Sequence, residues 1–173
     1  LILAIVLLIA AGAAYIHFRG VPSYEPREVQ VNIPTDSTSL ARGEHLATLI
    51  CADCHRGEGN KLSGKRMVDV PDFFGYVHSG NITRDKKYGT GRYTDGELIH
   101  FLRTGIKRDG GYSYLMTGFP HLSDEDLFSI VAYLRSDAPQ LDPVCKPSTP
   151  CRHTFFTKFL ATVVFRLLPY REK

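Results

Sequence analysis

Apolar and polar positions divide the chain into stretches of different character. Leu1 to Phe18 carries no charge apart from a late His17 and is rich in Leu, Ile, Val and Ala. That length approaches the roughly 20 residues needed to cross a bilayer, so residues 1–19 are expected to form a transmembrane anchor. The alternative is a signal peptide cleaved at the small residues Ala11-Gly12-Ala13. Over residues 20–38 the apolar spacing disappears, and Pro22, Pro26 and Pro34 stand among polar and charged residues, which predicts an extended tether. Helical spacing begins near Ser39, where Leu40, Leu46, Leu49 and Ile50 approximate one face that also carries Gly43. A glycine inside a helix costs about 1 kcal/mol relative to alanine, so Gly43 predicts the close crossing of a second helix.

Further along, the signals are local ones. Arg56 to Asp72 mixes Gly57, Gly59, Gly64 and Pro71 with charges and reads as a loop. Thr94 followed three residues later by Glu97 is a capping box, and Leu98, Ile99 and Leu102 form a short stripe ending at Gly105. Ser123 caps a helix whose first turn holds Asp124, Glu125 and Asp126 and whose core face is Leu127, Phe128, Val131 and Leu134. No strand pair is required anywhere. In residues 154–173, Phe155, Phe156, Phe159, Leu160, Val163, Val164, Leu167 and Leu168 recur at helical spacing, with Lys158, Thr162 and Arg166 opposite. This predicts an amphipathic helix too short and too charged to span a bilayer. It suits the membrane interface or a partner surface better than a core.

At 173 residues the chain holds one ordinary domain with appendages, and 43% hydrophobic residues with a net charge of +3 exclude a disordered protein. The charge is uneven: from Arg56 to Arg108, eleven Lys and Arg stand against six Asp and Glu, so the middle of the chain is locally basic. Lys61, Lys65, Arg66, Lys86, Lys87 and Arg92 fall in loops there and suit an acidic partner protein. Nothing points to nucleic acid.

The chemistry centres on Cys51-Ala52-Asp53-Cys54-His55. Two thiols three positions apart, followed at once by an imidazole, have the spacing that attaches a c-type haem: each sulfur bonds a vinyl group and the histidine ligates the iron. A zinc half-site would need a second Cys or His pair, and a redox disulfide would need a βαβ context. Haem is attached to such motifs outside the cytoplasm, which places the domain on the periplasmic side of an inner membrane. The two remaining cysteines, Cys145 and Cys151, close a proline-bearing loop within residues 139–153 and are expected to form a disulfide.

Gly43 ahead of Cys51, the haem motif, Met116, Leu122 to Leu127 and Ala132 to Ser136 together resemble class I monohaem cytochromes c. Asn81 to Asp85, Tyr93 to Leu98 and Arg103 to Gly110 are similar, more narrowly, to the cytochrome c domains of membrane-bound dehydrogenases and membrane-anchored bacterial c-type cytochromes. The resemblance implies an all-α class I cytochrome c fold over residues 39–138, wrapped around one covalent haem, with the first and last helices crossing near Gly43 and Tyr133. It implies Met116 as the sixth iron ligand, although Thr117 stands where the family has proline. Met67, His78, His100 and His121 are rivals. Tyr93 stands where the family has tryptophan and is a candidate partner for a haem propionate, with Asn81 and Arg84 as weaker ones.

Histidine and thioether together fill both axial positions, which raises the potential and leaves no site for O₂. The expected function is therefore electron transfer rather than catalysis. The protein would be a membrane-anchored monohaem cytochrome in a respiratory or photosynthetic chain, as a tethered carrier or a subunit of a membrane complex. A haem enzyme or gas sensor with an open distal site is the alternative.

Overall fold

The computed structural model describes residues 1–116 and 118–167. Helix α1 (Ile2–Arg19) has no buried residue and a mean hydropathy of 2.0 over 18 residues, long and apolar enough to cross a membrane. Residues 20–36 follow without helix, and α2 (Ser37–Ile50) then starts at Asp36, whose carboxylate accepts from the Ser39 N–H. Helix α3 (Ala52–His55) follows directly, α4 is Asp95–Thr104, α5 is Asp124–Arg135 and α6 is Phe155–Leu167.

The core forms where α2 crosses α5. Gly43 and Ala47, one turn apart, are the buried residues of α2. A Cβ at Gly43 would lie 1.9 Å from the Ser129 carbonyl oxygen and 2.9 Å from Cβ of Tyr133, so only glycine lets the two backbones meet. From α5, Leu127, Ile130, Val131 and Leu134 are fully buried, and α4 adds Leu98, Ile99 and Leu102. The predicted α2 face is corrected in part: Leu49 is 62% exposed and Ile50 is also exposed, because the helix packs through its smallest residues. Thr94 and Glu97 form the reciprocal capping box, and Gly105 closes α4 at φ +74°.

Two further expectations are corrected. A small antiparallel pair exists, β1 (Gly75–Tyr76) with β2 (Arg152–His153), in the register Gly75↔His153. It brings the C-terminal segment back to the domain at Gly75, where a Cβ would lie 1.9 Å from the Arg152 carbonyl oxygen. Residues 20–36 do not stand off as a free spacer: the Tyr24 N–H donates to the Gly110 carbonyl, and Val31 and Ile33 pack on the core. In α6, Thr157 and Ala161 are buried while Phe155, Phe156, Phe159, Val163 and Val164 are exposed. Leu168 of the expected C-terminal stripe, and Thr117, lie outside the described residues, and the side chains of Arg166 and Leu167 are not described.

Candidate haem-binding site

One continuous turn carries the motif. The Cys51 N–H donates to Ala47, that of His55 to Cys51 and that of Arg56 to Ala52, at 2.9 to 3.0 Å, so α2 passes into α3 without a break in hydrogen bonding. Cys51 and His55 are buried, and Cys54 is half-buried. His55 Nδ1 lies 2.7 Å from the Gly80 carbonyl oxygen. A carbonyl can only accept, so Nδ1 carries the proton and Nε2 keeps its lone pair. Burial holds the His55 pKa below its ordinary value, against the opposing pull of the Gly80 bond, and the imidazole stays neutral as a metal ligand must. Burial, with Cys54 as neighbour, pushes the Cys51 thiol up to about 11.

The segment behind the motif fixes its back. Ser79 Oγ donates to the Cys54 carbonyl at 2.6 Å and accepts from the Lys65 N–H, while the Gly64 N–H donates to the His55 carbonyl. Gly64, at φ +85°, has no room for a side chain, since a Cβ would meet the Ser79 carbonyl at 2.4 Å. Gly80 and Ser79 escaped sequence reasoning because a backbone carbonyl and a hydroxyl some 25 residues downstream leave no pattern in residue type.

An apolar wall stands beside the motif. Cys51, Ala52, Leu62, Leu98, Ile99 and Leu102 belong to one core cluster, and Met116 packs against it. The Met116 loop is fastened to the end of α4: Phe119 N–H donates to the Leu102 carbonyl and Ser113 N–H to that of Gly105. Arg103 Nη1 donates to the carbonyls of Phe119, Pro120 and Leu122 at 3.2, 3.2 and 2.5 Å, a brace that the sequence did not announce. Met67 is not among the residues packed on this cluster; its N–H donates to Val77 in the outer loop. Nδ1 of His78 and Nε2 of His100 are buried without a hydrogen-bond partner, and His121 is exposed. Among the described residues no three His, Cys, Asp or Glu side chains converge as a metal site. Neutral His55, adjacent thiols, an apolar wall and a thioether packed on it are a donor set that fits haem c.

The secondary candidates separate. Asn81 is buried, with Nδ2 donating to the carbonyls of Val144 and Lys146 and Oδ1 accepting from Thr83 N–H and Oγ1. Its amide is fully engaged within the fold. Arg84 and Tyr93 do come together, in an open cleft of about 540 Å³ shared with Lys86 and Arg135. Arg84 is committed to Asp137 and Asp142 through its terminal nitrogens, while its Nε is buried without a partner. The Tyr93 ring stacks on Phe101 and lies beneath the guanidinium groups of Arg92 and Arg108, and burial pushes its hydroxyl pKa up. Arg135, also missed, ties this corner together by donating to Asp95 and to the carbonyls of Thr90 and Tyr93. Cys145 and Cys151 stand as free thiols, so the expected disulfide is not formed in this structure. Cys151 Sγ instead accepts from the His78 N–H and donates to its carbonyl, at 3.3 and 3.4 Å.

Comparison with known proteins places these features in a family. The family model described as Cytochrome c matches residues 40–137, more than half of the chain. One subunit of the nicotinate dehydrogenase of Pseudomonas putida is 37% identical over 105 residues, covering 58% of this chain and 9% of that protein. The fructose dehydrogenase cytochrome subunit of Gluconobacter japonicus is 34% identical over 110 residues, 60% of this chain and 22% of its own length. The cytochrome c subunit of the quinone alcohol dehydrogenase of Gluconacetobacter polyoxogenes is 33% identical over 117 residues, with shares of 65% and 24%. The chain thus spans less than a quarter of each of these relatives. The matched segment is the one that holds the Cys51 to His55 turn, the α2–α5 crossing and the Met116 loop, and on that ground the chain belongs to the cytochrome c family.

Proposed function

We propose that this protein is a membrane-anchored monohaem cytochrome c that passes single electrons between redox partners, as the cytochrome component of a dehydrogenase-type complex. The observation that carries the reading is the state of His55: buried, neutral, protonated on Nδ1 by its bond to Gly80, and one residue from a thiol pair on the same turn. When bound, haem c supplies a one-electron iron couple. Cys51 and Cys54 would hold it through thioethers, His55 Nε2 would ligate the iron, and the Met116 sulfur would be the sixth ligand. The wall of Leu62, Leu98, Ile99 and Leu102 keeps water from this side of the site and so favours the less charged, reduced state. The chain carries electrons and turns over no substrate.

Helix α1 anchors the protein in an inner membrane, with the domain on the periplasmic side, and the exposed apolar residues of α6 rest in the same interface. Lys65, Arg66, Lys86, Lys87 and Arg92 are exposed and suit an acidic partner; Lys61 is set aside, because its ammonium is paired with Asp142. The test is spectroscopic. Full-length protein made in a host that matures c-type cytochromes should give one haem per chain that survives denaturing electrophoresis, and Cys51→Ala with Cys54→Ala should lose it. Covalent haem retained in that double variant, or reduced parent protein that binds CO as readily as an open haem, would overturn the reading.

A further inference from the structure

The segments on either side of the cytochrome c domain both return to one loop. From the N-terminal side, Tyr24 N–H donates to Gly110 at 2.8 Å, Ser23 bridges Gly111, and the Tyr24 ring meets the Tyr112 ring edge-on at 5.9 Å. From the C-terminal side, the Tyr114 hydroxyl and His153 Nδ1 share a hydrogen bond of 2.7 Å, their rings packed edge to face at 5.1 Å. Residues 110–114 lead directly to Met116, which therefore leaves a loop clamped from both ends of the chain.

His153 is itself held in place. It pairs with Gly75 in the β1–β2 ladder, and the residues after it are fastened by Thr154 and Thr157 hydroxyls donating to the carbonyls of Phe73 and Phe74 at 2.5 and 2.7 Å. A side chain anchored on backbone pairing and meeting a loop hydroxyl two residues before a ligand can set where that ligand sits. We propose that His153, acting through Tyr114, is a positioning residue for Met116, so that the C-terminal strand outside the cytochrome c domain helps decide whether the thioether stays on the iron. The inference rests on the reading of Met116 as the sixth ligand.

The test uses the full-length haem-loaded protein in detergent, with His153→Phe, Tyr114→Phe, their double variant and His153→Asn, whose amide can accept from or donate to the Tyr114 hydroxyl in place of Nδ1. The probe is imidazole binding to the ferric protein, followed with the reduction potential and the weak far-red band of iron–thioether ligation. His153→Phe and Tyr114→Phe should each raise imidazole affinity about two- to tenfold, the equilibrium worth of one hydrogen bond. The far-red band should weaken, and the potential should fall. The double variant should be no worse than either single one, as for two partners in one interaction, and His153→Asn should restore parental values. Parental behaviour in both single variants, or effects that simply add, would overturn the positioning role. Met116→Ala separates the layers: if it leaves imidazole affinity unchanged, the ligand assignment falls and this proposal with it, whereas a changed Met116→Ala beside unchanged His153 and Tyr114 variants removes the positioning alone.

Discussion

At the scale of single residues, the site is prepared by hydrogen bonds that settle protonation before any metal is considered. His55 gives its Nδ1 proton to a backbone carbonyl, a partner that cannot reverse the direction of the bond, so Nε2 is the only nitrogen left for ligation. Met116 has no such polar constraint; it is held by packing and by the loop around it. Met116→Ala should therefore keep covalent haem, because the cysteines are untouched, but lower the reduction potential markedly and admit CO to the reduced iron. Potential measurements with CO difference spectra check this, and an unchanged potential with no CO binding would point to another sixth ligand. Gly43 shows the same economy of space in the core. Gly43→Ala drives a methyl into the Ser129 carbonyl, which is backbone and cannot rotate away, so a loss of about 3 kcal/mol is expected in denaturant unfolding. Gly43 was legible in the sequence through its conflict with helix propensity, while Met116 stood out only through its place in a family pattern, and its role on the iron belongs to the proposed function. The Gly80 carbonyl was not legible, because every residue type offers one.

At the scale of elements, what the sequence announced best was where helices begin. The Thr94–Glu97 box and the Ser123 cap depend on residues three apart, and such contacts survive whatever the tertiary fold does. The face of α2 was less legible, since periodicity counts large apolar residues and this helix packs through small ones. The β1–β2 pair, only two residues on each side, has no periodicity to detect. The α2–α5 contact has an electrostatic rim that gives it a pH dependence. Arg42 donates from Nε to Asp126 at 2.7 Å and from Nη1 to Glu125 at 2.8 Å, and Ser123 Oγ donates to the other Asp126 oxygen. The Ser123 and Arg42 hydrogen bonds hold the Asp126 carboxyl below its ordinary value. For a depressed carboxylate, the stabilisation is present above the unfolded pKa of about 3.9 and is lost as pH falls through the lower folded value. Melting curves from pH 7 to pH 3 should show Asp126→Asn less stable than the parent at neutral pH, with the gap closing below about pH 4. A gap that stays constant with pH would remove the charge from the account.

At the scale of the whole molecule, the mounting of the domain on its candidate span bears on how electrons are delivered. A free tether of this length would let the haem domain sweep over tens of ångströms, but residues 20–36 are fixed along the domain. Tyr24 is bonded to Gly110, Val31 and Ile33 pack on the core, and Val29 backbone lies so close to α4 that a Cβ on Gly96 would stand 2.0 Å from its carbonyl oxygen. A second contact reinforces the first, since Lys158 of α6 donates to the His17 carbonyl near the end of α1. The sequence could not show this docking, because Val31 and Ile33 have no periodic spacing and the closest approaches run through backbone atoms at Gly96 and Gly110. On the proposed function, a domain held at two points would present its haem at one height and orientation, which would suit a resident subunit handing electrons to a neighbour better than a swinging carrier. Gly96→Ala tests the docking: Gly96 lies in the first turn of α4 between the partners of its capping box, and alanine is at least as good a helix former as glycine, so α4 itself should not suffer. The expected result is tryptic cleavage after Arg27 faster by about tenfold, the change in open population that about 1.4 kcal/mol of lost docking produces. The haem spectrum should remain that of the parent. If the parent is already cut at Arg27 as fast as the variant, residues 20–36 are loose in solution and the domain is free to swing.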